Sequence, residues 1–166
     1  MQLVPRVSGG WVRILSSLLL LLAAAAPAQR VPGGRYEAFV PGRPSCTLQI
    51  HVTGFRNNRG KAGGVVFASP AEWPEDRSKA VVHGGFTIIN RQATETVQIP
   101  PGRYAIVVIH DENENQKLDR NFLGIPNEGF GFANNPKVNF SAPSWQAAST
   151  AVGCPLTQVE IRILYK

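Results

Sequence analysis

The sequence predicts an all-β sandwich of about seven strands, and three observations carry that prediction. Leu48, Ile50 and Val52 alternate with Gln49, His51 and Thr53. Near the other end, Val159, Ile161 and Ile163 alternate with Glu160, Arg162 and Leu164. A period of two gives each segment one buried and one wet face. Between them, clusters of Pro, Gly and Asn punctuate short β-rich runs, and no segment carries a convincing helical period. The spacing leaves a small barrel open beside the sandwich.

The N-terminal segment has a different character. Arg6 and Arg13 precede the apolar run Ile14 to Ala26, and Ala26-Pro27-Ala28 supplies small residues for cleavage before Gln29. This is the three-part pattern of a secretory signal peptide, with an apolar core too short for a comfortable membrane span. A retained signal anchor is the alternative. Residues 1–28 are therefore expected to be a signal peptide and 29–45, rich in Gly, Pro and Arg, a flexible leader. Residues 46–166 form the β domain. Removing 28 of the 166 residues leaves 138, enough for one domain with a substantial core. Export to the periplasm or beyond follows, with no stable membrane insertion after cleavage.

The first strand is expected over Thr47–Thr53, followed by a turn through FRNNRGKAGG and a second strand at Gly63–Phe67. Pro70 to Pro74 reads as a punctuated connection with Trp73 packed over the sheet edge. Ala80–His83 and Phe86–Ile89 are short strand candidates around Gly84-Gly85, and Thr94–Ile99 alternates again. Pro100-Pro101-Gly102 forces a turn before Arg103–His110, the most continuously apolar strand. Lys137–Phe140 is a further brief strand candidate. Trp145–Val152 fits either one helical turn or an edge strand, and Thr157–Tyr165 closes the domain.

Charge excludes one class of partner. The formal net charge is +6, and loss of Arg6 and Arg13 takes 17 basic residues to 15 against 11 acidic ones, about +4. Arg56, Arg59 and Lys61 make the only short basic cluster, with no interleaved aromatic series. A nucleic-acid surface needs a continuous basic stripe with stacking residues, so no nucleic-acid partner is expected. The partner expected for an exported domain is an envelope protein or glycan.

Two cysteines, Cys46 and Cys154, stand just before the first and last strands. In an oxidising compartment such a pair forms a bridge, contributing roughly 3 to 4 kcal/mol through chain entropy, less any native strain. Two free thiols are the alternative. The absence of a CxxC pair gives no support to thiol–disulfide exchange, and His51, His83 and His110 lack zinc-ligand spacing with the cysteines.

The chemistry-bearing stretch is HDENENQKLDRNFLGIPNEGFGFANN, His110 to Asn135. Asp111, Asn113 and Asn115 occupy positions 1, 3 and 5 of a loop, Lys117 offers a backbone carbonyl at position 7, and Asp119 stands at position 9. Oxygen donors in that spacing suit calcium and no soft metal. Two features oppose a strong site: Gln116 stands where a calcium loop has its turn-making glycine, and Phe122 where it has a bidentate glutamate. The favoured reading is a self-capped loop, in which Asx side chains accept from amides two positions on. No cofactor is then required. Gly124, Gly129 and Gly131 are expected to supply conformations barred to larger residues, and Phe122, Ile125, Phe130 and Phe132 to anchor the loop. His110, Glu128, Phe130, Phe132, Asn134 and Asn135 form the expected rim for a ligand.

The run from Pro100 to Asn135 resembles the diagnostic region of the bacterial family DUF2141. The matching positions are Pro101-Gly102, His110-Asp111, Asn113, Asn115, Leu118-Asp119, Gly124, Pro126, the run Glu128 to Phe132, and Asn134-Asn135. The chain departs at Glu114 and Gln116, where the family usually has glycine. The resemblance implies an exported sandwich of transthyretin-like or immunoglobulin-like character over Cys46 to Lys166, and it brings no settled activity or ligand.

Enzyme chemistry has little sequence support. Adjacent strand residues point to opposite faces, so Asp111 does not orient His110 through its side chain. Ser141, Ser144 and Ser149 lie in no G-x-S-x-G elbow. No catalytic residue is assigned. The competing reading is a carboxylate-dependent envelope hydrolase that brings His110, Asp119 and Glu128 together in a pocket.

Overall fold

A computed structural model describes residues 35–36 and 44–166 except Glu72 and Phe140. The expected signal peptide and most of the leader lie outside the described residues. Nine strands are present among those described: β1 (Arg35–Tyr36), β2 (Cys46–Thr53), β3 (Lys61–Phe67), β4 (Val82–Phe86), β5 (Ala93–Ile99), β6 (Gly102–Asp111), β7 (Gly129–Phe132), β8 (Ser149–Val152) and β9 (Leu156–Arg162). The only helix among these residues is a 3-10 turn, Arg77–Lys79, capped by the Asp76 side chain.

The strands form two sheets. One has the order β1-β4-β3-β6-β7, with β8 also paired to β6, and the other has the order β5-β2-β9. The chain is an all-β sandwich, as the two alternating faces require. Leu48, Ile50 and Val52 of β2, Val97 and Ile99 of β5, and Val159 and Ile161 of β9 pack against Ala62, Val66, Tyr104, Ile106 and Val108 of the larger sheet. The outward residues of the smaller sheet are polar apart from Leu156, with Gln49 and Gln158 joined side chain to side chain.

β6 is continuously apolar because both of its faces are covered. Tyr104, Ile106 and Val108 enter the inter-sheet core. Ala105 and Val107 lie on the other face with Val65, Phe67, Phe130 and Phe132, beneath Trp73, Leu118, Val138 and Trp145. Trp73 meets Phe67 and Phe132 edge to face, and its indole N–H donates to the Pro143 carbonyl. The connections therefore build a second apolar layer over the sheet face. A strand buried on both sides reads as a run rather than an alternation.

Cys46 and Cys154 are bridged across 108 residues of sequence. Both stand at the upstream ends of their strands, so a bridge requires β2 and β9 to run side by side in the same direction. They do: Thr47 pairs with Leu156 and Thr53 with Arg162 in a parallel ladder.

Four expectations change. Arg35–Tyr36, within the expected flexible leader, pair with His83 and Val82. The two short strands expected around Gly84-Gly85 are one strand, β4, whose glycines face Gly64 and Gly63 of β3. Lys137–Asn139 do not form a strand. Gly129–Phe132, expected as loop, form β7 and pair with Val107–His110. The Trp145 segment takes both of its readings, a turn through Ala148 and then the strand β8.

Candidate functional site

At one end of the sandwich, β6 delivers His110 to the inter-sheet side and Asp111 to the opposite side, as strand alternation demands. His110 is fully buried. Its Nδ1 lies 2.7 Å from the Tyr165 hydroxyl and its Nε2 2.9 Å from the Arg59 carbonyl. Phe55 meets the imidazole edge-on at 5.1 Å. The Arg56 amide donates to the Tyr165 hydroxyl, and the Arg56 guanidinium lies over the Tyr165 ring while pairing with Glu112. Hydrogen bonding to Arg56 holds the Glu112 carboxyl below the usual glutamate range, and burial pushes the Tyr165 phenol up.

On the other side, Asp111 organises the loop. Its Oδ1 accepts from the Asn115 amide at 3.0 Å and its Oδ2 from the Gln116 amide at 2.7 Å. Asn113 and Asn115 each accept from the amide two residues on. Both also donate through their side-chain nitrogens to the Asp119 carboxylate, at 2.7 Å and 3.0 Å. Glu128 is buried, and its two oxygens accept from the amides of Glu112 (2.9 Å) and Asp119 (3.1 Å). One carboxylate therefore ties the start of the excursion to its middle. Carboxylates that accept amides in this way rigidify a loop.

The five residues expected as calcium ligands are brought together in one loop. The missing glycine at Gln116 does not prevent the turn, because Gln116 and Glu114 both take left-handed backbone, with φ of 62° and 60°. The position of Phe122 is different. Its side chain is 95% exposed and points away, and Glu128 is already committed to two amides. Among the described residues, no group of three or more His, Cys, Asp or Glu side chains has metal-binding geometry.

The expected ligand rim is only partly at the surface, where Asn134 and Asn135 are exposed. His110, Glu128, Phe130 and Phe132 are all buried. Asn134 donates to the carbonyls of Ala147 and Ser149, and Asn135 bonds the Glu160 carbonyl and the Arg162 amide. Both asparagines have left-handed backbone and fasten the end of β7 to β8 and β9. Gly129 and Gly131 serve close packing rather than an unusual conformation. A Cβ at Gly129 would lie 2.5 Å from Ile163 and Tyr165, and one at Gly131 2.6 Å from the Arg162 carbonyl. Gly124 is the glycine that uses a positive φ, 77°.

Phe122 and Ile125 do not anchor the excursion; they form its tip with Leu123. Leu123 is 67% exposed and Ile125 42%. The tip is nevertheless tightly built. Asn121 Oδ1 accepts from the amides of Leu123 and Ile125, the Gly124 amide donates to the Asn121 carbonyl, and Arg120 donates to the Gly124 carbonyl. Two shallow, open clefts lie elsewhere among the described residues. One is beside the β4–β5 turn and the other on the outer face of the smaller sheet.

Tyr165 and Glu112 are not among the residues the sequence points to, and Arg56 enters there only as part of a basic cluster. A signal existed for Tyr165 alone, because it continues the inward row Val159, Ile161, Ile163. Arg56 and Glu112 carry no local signal, being joined only by the fold.

Residues 50–160 match the family DUF2141, described as uncharacterized proteins conserved in bacteria. No curated protein and no solved structure matches the chain.

Proposed function

We propose that this chain, which belongs to the bacterial family DUF2141, acts outside the cytoplasm as a non-enzymatic accessory or binding domain of the cell envelope. One observation carries the reading. The acid–base groups at the loop base, His110, Asp111 and Glu128, are buried and spend their polar atoms on internal hydrogen bonds. The apolar tip of the same loop faces solvent. A hydrolase needs carboxyls that reach a substrate in a cleft at defined separation. Here Glu128 faces amides, and Asp119 faces asparagine side chains. The sequence Met1 to Ala28, with its signal-peptide pattern, and the Cys46–Cys154 bridge support an exported setting. Among the described residues no helix is long and apolar enough to cross a membrane.

Fractionation of the producing bacterium, with N-terminal sequencing of the recovered protein, tests the location; the expected start is Gln29. Incubation with envelope glycans and peptides tests the role. Neither wild type nor Glu128→Gln should turn anything over, and turnover lost in Glu128→Gln would overturn the reading.

A further inference from the structure

Resting on that reading of the loop as a presentation device, we propose that the loop end of the sandwich docks peripherally on an anionic phospholipid bilayer, with Phe122 and Leu123 entering the interface. The first support is the combination of exposure and order at the tip. Phe122 is 95% exposed, yet the turn that carries it is closed by the Asn121 side chain, the Gly124 amide and the Arg120 guanidinium. A phenylalanine held out in water by a rigid turn loses little freedom when it finds an apolar phase.

Backbone chemistry favours a bilayer over a protein groove. The amides of Leu123, Gly124 and Ile125 are all bonded within the turn. The tip therefore offers no free strand edge to a peptide groove. The Phe122 amide, which has no hydrogen-bond partner among the described residues, keeps the turn at headgroup depth where water reaches it. Area points the same way. A stable protein interface buries about 800 Å² on each partner, and a convex tip of three side chains falls well short of that.

Charge supplies the specificity. Strand directions place the 54–60, 87–92 and 112–128 connections at one end of the sandwich: Lys61 pairs with Asp111, Ala62 with Phe86, and Val52 with Ala93. The Arg91 amide bonds Asn58, joining two of these connections directly. Glu112 and Glu114 at this end are neutralised by Arg56 and Lys61. Arg59, Arg91, Lys117 and Arg120 are exposed and form no ion pair among the described residues. The remaining carboxylates of this end are the partly covered Asp119 and the buried Asp111 and Glu128. Ile89, 65% exposed, adds a second apolar contact at the same end. An apolar tip beside exposed, unpaired cations suits the surface of an anionic leaflet, and attachment through so few side chains is weak and reversible.

The test uses the mature chain from Gln29 carrying Phe122→Trp, mixed with vesicles of phosphatidylglycerol and phosphatidylcholine whose acyl chains are brominated near the headgroup. Wild-type fluorescence is subtracted to remove the native tryptophans. The indole introduced at position 122 should shift to the blue and be quenched, while one introduced by Leu156→Trp at the opposite end should not. Binding should fall roughly tenfold on raising salt to half molar or on replacing phosphatidylglycerol with phosphatidylcholine. It should also fall roughly tenfold in the Phe122→Ser/Leu123→Ser double variant, which leaves the core untouched. Equal quenching at the two positions overturns the proposal, as does co-sedimentation indifferent to the double variant. Crosslinking from position 122 to an envelope protein, without quenching by lipid, also overturns it while leaving the binding-domain reading intact. Substrate turnover dependent on Glu128 would defeat that underlying reading instead.

Discussion

The Tyr165 hydroxyl stands 2.7 Å from Nδ1 of His110, and together with the Arg59 carbonyl it holds the buried imidazole from both of its nitrogens. The Arg59 carbonyl, 2.9 Å from Nε2, only accepts, so Nε2 holds the hydrogen. In the neutral ring Nδ1 is then an acceptor for the Tyr165 hydroxyl, whose oxygen accepts in turn from the Arg56 amide. Glu112 Oε1 also approaches Nδ1, at 3.4 Å. Four groups from three distant segments thus close one chain of hydrogen bonds. Tyr165→Phe removes its centre, leaving His110 Nδ1 without its donor and the Arg56 amide without its acceptor. The expected loss is about 1 to 3 kcal/mol by urea denaturation. An unchanged midpoint would show that the chain contributes nothing to stability.

Glu128 makes the corresponding link on the loop side, accepting from Glu112 and Asp119. Glu128→Ala leaves two amides unsatisfied at a buried site, a loss of about 2 to 3 kcal/mol for two charge-assisted bonds. Hydrogen exchange should accelerate at Glu112 and Asp119 first, with β2 and β9 keeping their protection. Uniform acceleration throughout the sandwich would mean that the loop is part of the global folding unit.

The fold was legible where one periodicity dominated, and it became illegible where two constraints overlapped. The strands carrying Leu48-Ile50-Val52 and Val159-Ile161-Ile163 face water on one side only, so their alternation located the smaller sheet. The Phe130 and Phe132 pattern also alternates, but its intervening residues are glycines. In sequence that resembles a flexible loop, and only the proximity of Ile163, Tyr165 and Arg162 explains why no side chain fits there. The loop's Asx bonding was readable because it spans two to five residues. The burial of Glu128 was not, because its amide partners lie 9 and 16 residues away. Phe122 misled for a related reason: an aromatic in a long loop is normally an anchor, and nothing local distinguishes one held outward by Asn121.

Glu95 gives a pH dependence of known sign. It belongs to the inward row Ala93, Glu95, Val97, Ile99 of the edge strand β5, and burial pushes its carboxyl above the usual range. An inward charge on an edge strand discourages pairing with another chain. The folded state holds this proton more tightly than the unfolded one. Its contribution is therefore most favourable below the unfolded pKa and declines as pH rises through the raised folded value. Glu95→Gln should stabilise the protein at pH 7, by less than about 1 kcal/mol because the carboxyl remains half in water. The difference should shrink as pH falls through the window between the two pKa values. A constant difference across that window would assign the effect to packing.

The Asp111 loop separates two readings through its response to ions. Gln116 adopts the left-handed turn without glycine, so the turn itself no longer argues against calcium. Gln116→Gly should relieve side-chain strain and raise stability by up to about 1 kcal/mol. What still argues against an ion is the orientation of the donors. Asn113 and Asn115 present their side-chain nitrogens to Asp119, and both Asp111 oxygens receive amides. A cation would require both asparagines to turn their oxygens inward, and Phe122 supplies no carboxylate to complete its shell. Melting curves in millimolar calcium, magnesium and chelator should therefore coincide. Asp111→Asn should lower all three equally, by about 1 to 2 kcal/mol for the weakened amide bonds. A calcium-specific rise that disappears in Asp111→Asn would show that the asparagines do turn, because only an ion held by the folded loop stabilises it by mass action.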